Sequence, residues 1–419
     1  MNLKFNEEAF IEDLKNLIKI NSINGNCGER TENFPLGKGV NDAIEYYLDL
    51  GKKFGFKTKN IDNCCGYIEM GEGKDMLGII VHADTVDTGI GWDSDPLECV
   101  FKDGKLYGRG VSDDKGPALL ALYCMKAITD NEIKLNKRVR LIIGGDEESG
   151  VWEGIKRYKK SEEIPSIAFS PDGEYPVVFG EKGMLKVKIS AKETNAPEGF
   201  LLKGGKVINI VPDYASASIN GKNYESTGKP AHGSTPEKGE NAILKLGKIL
   251  KDNGINCMAT KLIEISNKTD LNIDISDEES GELSINPSIL FADETFCEMS
   301  YDIRYPITAD GDKVIENIKN SASKYGFNTE IMFHEKPLHV PKHSHLVKTL
   351  SQIYKECTNN DSDPIAIGGG TYAKAFPNCV AFGVILPTDE ETFHAPNEYW
   401  SLESIRKNFE IISKAIIKL

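Results

Sequence analysis

Hydrophobic residues recur at helical spacing at both ends of the chain. Near the start they fall at i, i+4, i+7 and i+8, and near the end they form one stripe, so an amphipathic helix is predicted at each end. The residues concerned are Phe10, Leu14, Leu17 and Ile18 in the first helix and Ile405, Phe409, Ile412 and Ile416 in the last. Both ends of the chain are therefore expected to pack against a core.

Two kinds of strand pattern lie between these helices. Apolar runs such as LGIIVH, RVRLIIGG and SIAFS, with a helical stretch between the last two, are typical of a buried parallel sheet. From about residue 181, GMLKVKIS and YASASIN alternate apolar with polar residues, which predicts an antiparallel sheet with one wet face. The stretch NAILKLGKILKDNG then predicts a helix over the other face, and by residue 340 helical spacing returns in HLVKTLSQIYKECT.

These changes predict an α/β chain with two domains. A mixed, largely parallel-sheet domain comprises residues 1–180 and 335–419, and an α+β domain, an antiparallel sheet plus helices, is inserted at 181–334. The length of 419 residues agrees, because a single hydrophobic core rarely supports so long a chain. The polar stretch from Asn267 to Gly281 is expected to be a lid loop of the inserted domain.

Charge and composition narrow the class of protein. A net charge of −14 argues against binding nucleic acid or an anionic membrane surface, since both need a basic patch. The beginning, MNLKFNEEAF, lacks the pattern of a signal peptide, and no apolar stretch approaches the ~18 residues that span a bilayer, so a cytoplasmic location is expected. Nine cysteines, an odd number without CxxC pairs, suit free thiols in a reducing compartment.

The candidate chemistry begins where the apolar strand LGIIVH ends. His82 and Asp84 stand two residues apart, so in an extended backbone they project from the same face. This is how a metal-binding imidazole and the carboxylate that orients it are built. A lone histidine after a strand is more often structural, so the pair needs support from elsewhere in the chain.

That support comes from three acidic clusters. RVRLIIGG runs into Asp146-Glu147-Glu148, SIAFS runs into Pro171-Asp172-Gly173, and Asp113-Asp114 precedes the helical stretch GPALLALYCMKAI. The carboxyl ends of strands in open α/β sheets are where ligands bind. One histidine and several carboxylates at such an edge predict a site for divalent metals.

Nine blocks of this chain, in order, resemble a known family. They are HADTVD, GWDSDP, LYGRGVSDDKGP, GGDEESG, SPDGE, PAHGSTPEKGENA, DIRYP, GGGTYAKAFPN and HAPNEYW. They are similar to the dinuclear zinc metallopeptidases that include carnosinases, aminoacylases and succinyl-diaminopimelate desuccinylase, with the PepV-type bacterial dipeptidases the closest likeness. The resemblance implies a zinc-binding catalytic domain interrupted by a lid or dimerisation-like domain.

The resemblance also implies roles for single residues. His82 and Asp172 would hold one zinc ion, Glu148 and His394 the other, and Asp113 would bridge both. Asp84 would orient His82, and Glu147 would be the general base. His232 would stabilise the oxyanion. Arg304 would pair with the substrate's carboxylate, since the planar guanidinium of arginine binds carboxylates in a bidentate manner. The residues expected to line the pocket are Asn209 and the loop Gly368, Gly369 and Gly370.

The implied function is that of a hydrolase, a dinuclear zinc dipeptidase that cleaves small unblocked peptides by means of a metal-activated water. Two divalent ions per chain are expected, with zinc favoured and manganese or cobalt able to replace it. An N-acyl-amino-acid amidohydrolase is the alternative, because it would share metals, base and Arg304. Two structural alternatives stay open: His232 could simply cap a loop, and Arg304 could be a surface charge paired with Asp302. A monomer is favoured, with a homodimer as the other possibility.

Overall fold

The computed structural model describes residues 3–419. The chain divides into two compact units. Unit 1 comprises the chain up to Phe179 together with Val340–Ile365 and Thr371–Leu419, and unit 2 comprises Gly180–His339 and Ala366–Gly370. The sequence-based boundaries at 181 and 334 lie one and five residues inside those of unit 2, and the short glycine segment of unit 2 is not anticipated by them.

Unit 1 is built around a mixed sheet. In chain order its elements are α1 (Glu7–Ile18), α2 (Lys38–Lys53), β1 (Lys57–Ile61), β2 (Cys65–Gly71), β3 (Met76–His82), β4 (Val100–Lys102), β5 (Lys105–Tyr107), α3 (Lys115–Asp130), β6 (Arg138–Gly144), α4 (Glu153–Ser161), β7 (Ile167–Ser170) and β8 (Val177–Glu181), whose last two residues belong to unit 2. After the insertion come α8 (His345–Thr358), a 3₁₀ turn (Tyr372–Ala375), β20 (Cys379–Phe382), β21 (Tyr399–Ser401) and α9 (Leu402–Lys418).

Parallel strands form the middle of this sheet. The order is β1-β2-β6-β3-β7-β20-β8, in which β6, β3, β7 and β20 run parallel and the flanking pairs are antiparallel. All seven residues of β3 are buried, as expected of a strand with neighbours on both sides and helices on its faces. The predicted mixed α/β class is confirmed.

The helices predicted from apolar spacing pack on this sheet. Phe10, Leu14, Leu17 and Ile18 of α1 are all buried, as are the four predicted apolar positions of α9. Helix α3 is buried along most of its length because it contacts β3 and β6 as well as α1 and α9. Its amino end is therefore held firmly beside the carboxyl end of β3.

Unit 2 is an α+β unit. Its elements are β9 (Gly183–Lys192), β10 (Leu201–Gly204), β11 (Tyr214–Ile219), β12 (Lys222–Thr227), a 3₁₀ turn (Pro236–Lys238), α5 (Ala242–Asp252), α6 (Met258–Glu264), β13 (Ser276–Asp277), β14 (Gly281–Glu282), β15 (Ser284–Asp293), β16 (Phe296–Tyr305), α7 (Gly311–Lys324), β17 (Asn328–Glu335), β18 (Leu338–His339) and the strand β19 (Ile365–Ile367) that leads into its glycine segment.

The main sheet of unit 2 is antiparallel, in the order β12-β11-β10-β15-β16-β9-β17. In β9 buried residues alternate with partly exposed ones, as the period-two pattern predicts. Helices α5, α6 and α7 contact the sheet and complete its core.

The segment from Asn267 to Gly281 is largely loop, as predicted, but part of it packs inside unit 2. Leu271 and Ile273 are fully buried in the core of unit 2, and the end of the segment forms the short β13–β14 hairpin. The polar residues around these two side chains obscured them in the sequence. Among the described residues no helix is long and apolar enough to cross a membrane.

Candidate metal centre

The carboxyl ends of three adjacent parallel strands carry the candidate ligands. Strand β3 lies between β6 and β7 and ends at His82. The acidic residues Asp146–Glu148 follow β6, and Asp172 follows β7. Because the strands are parallel, these ends meet at one edge of the sheet.

Asp113 lies between two imidazoles. It stands just before α3, with its Oδ1 3.1 Å from Nε2 of His82 and its Oδ2 2.9 Å from Nε2 of His394. Each imidazole also faces a second carboxylate: Asp172 Oδ2 is 3.7 Å from His82 Nε2, and Glu148 Oε1 is 3.3 Å from His394 Nε2. The structure thus brings together all five side chains that the resemblance implies as ligands.

The five side chains form two groups that share Asp113. In the first, donor atoms of His82, Asp113 and Asp172 lie within 4.8 Å of one another, and in the second the same holds for Asp113, Glu148 and His394. His394, the most exposed of the five, adopts a left-handed backbone conformation with φ 59°. This geometry suits two cations held side by side by one bridging carboxylate.

The neighbouring aspartate is used differently. Asp114 Oδ2 accepts a hydrogen bond of 2.9 Å from the backbone N–H of His82. Its other oxygen is buried and has no hydrogen-bond partner in the described part of the chain, and burial raises the pKa of Asp114 well above its usual range. Asp114 therefore braces the end of β3, whereas Asp113 faces both imidazoles.

Asp84 links the end of β3 to the acidic cluster after β6. Nδ1 of His82 is 2.9 Å from the backbone carbonyl of Asp84 and 3.4 Å from its carboxylate. The same carboxylate accepts hydrogen bonds from the backbone N–H groups of Glu147 and Glu148, at 3.0 and 3.2 Å, and from the side chain of Asn24. Asp84 thus orients the acidic pair as well as lying beside the imidazole.

The electrostatics of the site are dominated by crowded carboxylates. Burial raises the pKa of Asp172 to about 7, and the negative charges of Asp113 and Glu148 act in the same direction. Burial also raises the pKa of Glu147 well above its usual range. Burial alone would lower the pKa of His394, but the adjacent carboxylates of Asp113 and Glu148 raise it to about 11. The histidines respond as groups held among excess negative charge do.

This donor set fits divalent cations. Glu148 Oε1 is buried 3.3 Å from Nε2 of His394 and accepts no hydrogen bond from the described residues. The nearby buried amine of Lys115 donates to the carbonyls of Leu17 and Ile20 rather than to these carboxylates. A buried charge is costly unless it is paired or coordinates a metal. Imidazole together with carboxylate is the donor chemistry of zinc and related ions.

Glu147 is held beside the ligands by its backbone. Its carbonyl accepts a hydrogen bond of 3.2 Å from the indole N–H of Trp152, and its N–H donates to Asp84. The ring of Tyr372 packs edge-on against both Trp152 and His82, and its hydroxyl contacts Asp146. The carboxyl of Glu147 thus belongs to a loop fixed at several points.

The remaining predicted residues lie in unit 2. His232 is exposed, and its Nδ1 accepts the backbone N–H of Ser234 at 3.2 Å, with the Ser234 hydroxyl 2.7 Å away. The carbonyl of Asn209 accepts the N–H of Gly233, so Asn209 contacts the histidine loop through its backbone. Gly369 and Gly370 belong to the glycine segment of the same unit.

Arg304 is buried and paired. Its Nε and Nη2 donate to Oδ1 and Oδ2 of Asp302 at 2.8 and 3.1 Å, and its Nη1 donates to the carbonyl of Gly368 at 2.9 Å. The pairing with Asp302 raised as an alternative is present, but Arg304 is only 3% exposed, so it is no surface charge. Nη1 and Nη2 each keep a second N–H.

Two buried residues near the site, Glu398 and Arg109, were not predicted from the sequence. Both are buried in unit 1 and joined by a hydrogen bond of 2.8 Å between Arg109 Nη1 and Glu398 Oε2. Both stand inside the blocks LYGRGVSDDKGP and HAPNEYW that carry the resemblance. Opposite charges in two such blocks were the available signal.

Known proteins are similar to this chain over nearly its whole length. Residues 78–418 match Peptidase family M20/M25/M40. A relative from Bacillus subtilis named "Putative dipeptidase YtjP" is 36% identical, with 99% of this chain and 97% of the relative covered. A protein of Staphylococcus epidermidis named "Putative dipeptidase" is 34% identical over the same shares of the two chains.

Solved structures share the fold. An M20 family metallo-carboxypeptidase from Sulfolobus solfataricus matches with a TM-score of 0.64 and 20% identity, covering 97% of this chain and 98% of the other. An aminoacylhistidine dipeptidase from Vibrio alginolyticus matches with a TM-score of 0.65 and 12% identity, covering 99% and 97%. With a family match over most of its length and relatives above 30% identity, this chain belongs to peptidase family M20/M25/M40.

Proposed function

We propose that this protein is a dipeptidase that uses two divalent cations, Zn²⁺ by preference, to hydrolyse the peptide bond of small unblocked peptides. One observation carries the proposal: Asp113 turns one oxygen toward His82 and the other toward His394, and each imidazole has one further carboxylate beside it. A shared carboxylate between two such groups is the arrangement that a two-metal hydrolase requires.

The chemistry divides between cations and protein. Bound cations would lower the pKa of a water from ~15.7 toward ~7 and polarise the scissile carbonyl. In our proposal His82 and Asp172 hold one cation, Glu148 and His394 the other, and Asp113 both. Glu147 takes the proton of the attacking water and returns it to the leaving amine. Asp84 keeps Glu147 in place, since it accepts the N–H of that residue.

Unit 2 would supply substrate contacts. We assign His232 to stabilising the oxyanion and Arg304 to the substrate's carboxylate, with Asn209, Gly369 and Gly370 lining the pocket. The exposed ring of His232 and the two unassigned N–H groups of Arg304 support these roles. Two curated relatives bear names of dipeptidases, which supports a small-peptide substrate. The free cysteines suit a cytoplasmic setting.

Metal analysis tests the cofactor. Protein purified without chelator should contain up to two equivalents of a divalent metal per chain, and exhaustive chelation should abolish hydrolysis of a dipeptide. Activity should return with Zn²⁺, and Mn²⁺ or Co²⁺ should be able to replace it. Full activity after chelation would refute a metal-dependent mechanism.

A substrate panel tests the reaction. Free dipeptides, N-acetyl amino acids and succinyl-diaminopimelate would be compared by kcat/KM on the same metal-loaded preparation. We expect unblocked dipeptides to be hydrolysed fastest. A clear preference for the acylated amino acids would instead identify an N-acyl-amino-acid amidohydrolase with the same metals and base.

A further inference from the structure

We propose that Glu398 is a positioning residue of the metal centre, one that holds Asp113 and His394 in register with each other. The inference rests on the two-cation site of the proposed function and adds a residue that touches neither cation nor substrate. Glu398 is 0% exposed and stands four residues after His394. Its carboxylate is directed at the loop that carries Asp113.

The carboxylate of Glu398 accepts hydrogen bonds from four residues of the loop that carries Asp113. Oε2 accepts hydrogen bonds from Arg109 Nη1 at 2.8 Å and from the N–H of Gly110 at 3.0 Å. Oε1 accepts from the N–H and the hydroxyl of Ser112, both at 2.9 Å, and from the N–H of Asp113 at 3.2 Å. The bridging ligand is therefore tied to Glu398 through its own backbone.

The pairing of two short strands positions Glu398 beside the Asp113 loop. β5 and β21 pair antiparallel, with Tyr107 opposite Tyr399, and the pairing continues in a hydrogen bond of 3.1 Å from the N–H of Gly108 to the carbonyl of Glu398. The ladder therefore ends where the Asp113 loop begins and where the His394 segment ends. Glu398 joins the two segments at that point.

Arg109 extends the connection to a third loop. Its guanidinium is buried, and besides Glu398 it donates through Nη2 to the carbonyls of Asp87 and Thr88, at 3.2 and 3.4 Å. Those residues follow His82 and Asp84 along the chain. Glu398 and Arg109 thus link the segments of three proposed ligands that are remote in sequence: His82, Asp113 and His394.

Both side-chain oxygens of Glu398 must act as hydrogen-bond acceptors. All the groups facing Glu398 are N–H or O–H donors, so a carboxylate satisfies them, whereas the amide NH₂ of glutamine would turn donors toward donors at one end. The charge is also paired with Arg109, which makes its burial tolerable. Glu398→Gln should therefore loosen the Asp113 loop without changing the side chain of any proposed ligand.

Glu69→Gln provides a matched control. Glu69 and Arg140 form another buried ion pair of unit 1, with Arg140 Nε 2.8 Å from Glu69 Oε2, between strands β2 and β6. Substitution of Glu69 disturbs a buried carboxylate–guanidinium pair without contacting the candidate ligands. Any loss of affinity for metal that follows only from general destabilisation should appear equally in this control.

The test compares metal affinity in the two variants. Competition with a chromophoric chelator would measure Zn²⁺ binding to the full chain without any substrate, and the melting temperature would be recorded in parallel. We expect Glu398→Gln to weaken Zn²⁺ binding about 10- to 100-fold, as loss of a residue that supports metal ligands does, and Glu69→Gln to leave it unchanged. Ser112→Ala, which removes a single donor, should weaken binding to a smaller extent.

Hydrogen exchange separates this inference from the proposed function. In chelator-treated protein, the amides of Gly110, Ser112 and Asp113 should exchange faster in Glu398→Gln than in the wild type, whatever substrate the enzyme prefers. Equal exchange and equal affinity in the two proteins would overturn the positioning role. So would an equal loss of affinity in Glu69→Gln. Should Glu398→Gln fail to fold, unchanged affinity in Ser112→Ala would overturn it as well.

Discussion

The candidate metal centre of unit 1 and the Asp302–Arg304 pair of unit 2 handle buried charge in opposite ways. In unit 1, the carboxylates of Asp113, Glu148 and Asp172 crowd around two imidazoles, and the buried Lys115 amine is committed elsewhere. In unit 2, Asp302 and Arg304 stand two residues apart on β16 and neutralise each other through two hydrogen bonds. Spacing of i and i+2 occurs in both places, at His82 and Asp84 and at Asp302 and Arg304, with different results. A cluster with more carboxylates than imidazoles is a candidate cation site, whereas a closed pair indicates structure or positioning.

Location explains the difference. The candidate ligands of unit 1 follow the ends of β3, β6 and β7, where loops from remote parts of the chain bring in further carboxylates. Asp302 and Arg304 lie within β16. The residues opposite Asp302 are Asn286 and Lys186, and those opposite Arg304 are Ser284 and Met184. Within a sheet, each charge depends on its near neighbours on the same face for compensation.

The largest effect is expected at the bridging position. Asp113→Asn has one carbonyl oxygen instead of two equivalent carboxylate oxygens, so its side chain could bind only one of the two proposed cations. We expect loss of bound metal and a fall in turnover of more than ~10⁴-fold, beyond what a lost acid or base alone would cost. Asp114→Asn is the matched variant, because its carbonyl can still accept the N–H of His82. It should keep its metal. If Asp114 were the bridge instead, elemental analysis would find the metal lost from Asp114→Asn and kept in Asp113→Asn.

The next effect separates the base from the ligands. Glu147→Gln should retain both cations and lose ~10²–10⁴-fold in kcat, because the amide cannot take a proton from water. Glu148→Gln should lose metal as well, since its carboxylate faces His394. Near wild-type turnover in metal-loaded Glu147→Gln would assign the base to another residue.

Much of unit 1 could be predicted because its chemistry follows simple strands. The apolar runs ending at His82, before Asp146 and before Asp172 are β3, β6 and β7, and all three run parallel. Spacing alone could not bring His394 to Asp113, because a long insertion separates their segments. Only the family blocks joined them. Glu398 escaped notice because a buried acceptor of backbone N–H groups has no periodic signal.

Unit 2 was harder to predict in detail. Alternation indicated its sheet, and β9 shows it plainly. The same alternation gave no means of telling a buried Arg304 from an exposed one, since the compensating Asp302 lies on the same strand. Leu271 and Ile273 were hidden in a polar stretch, and the glycine segment Ala366–Gly370 joins unit 2 through contacts that no local pattern encodes.

The third prediction tests the closed pair of unit 2. Asp302→Asn leaves the buried guanidinium of Arg304 without its counter-charge, so the free energy of unfolding should fall by ~3–5 kcal/mol. Glu298→Gln is the control on the same strand, because its pair with Lys188 is about one-third exposed, at 32% and 30%. That change should cost less than ~1 kcal/mol in chemical denaturation. Equal losses would mean that the Asp302 charge is not needed to compensate Arg304.

The last prediction asks whether unit 2 serves its own chain. His232→Ala should lower kcat by ~10²–10³-fold if His232 stabilises the oxyanion. In the monomer that we favour, mixing this variant with Glu147→Gln should restore nothing, because each chain lacks one group. In a homodimer with His232 supplied to the partner's site, half of the randomly paired dimers would each contain one intact site, so activity would return to about a quarter of the wild-type value. Recovery of that size would show that the protein is a dimer in which the partner subunit supplies His232. The proposed metal ligands of unit 1 would be unaffected.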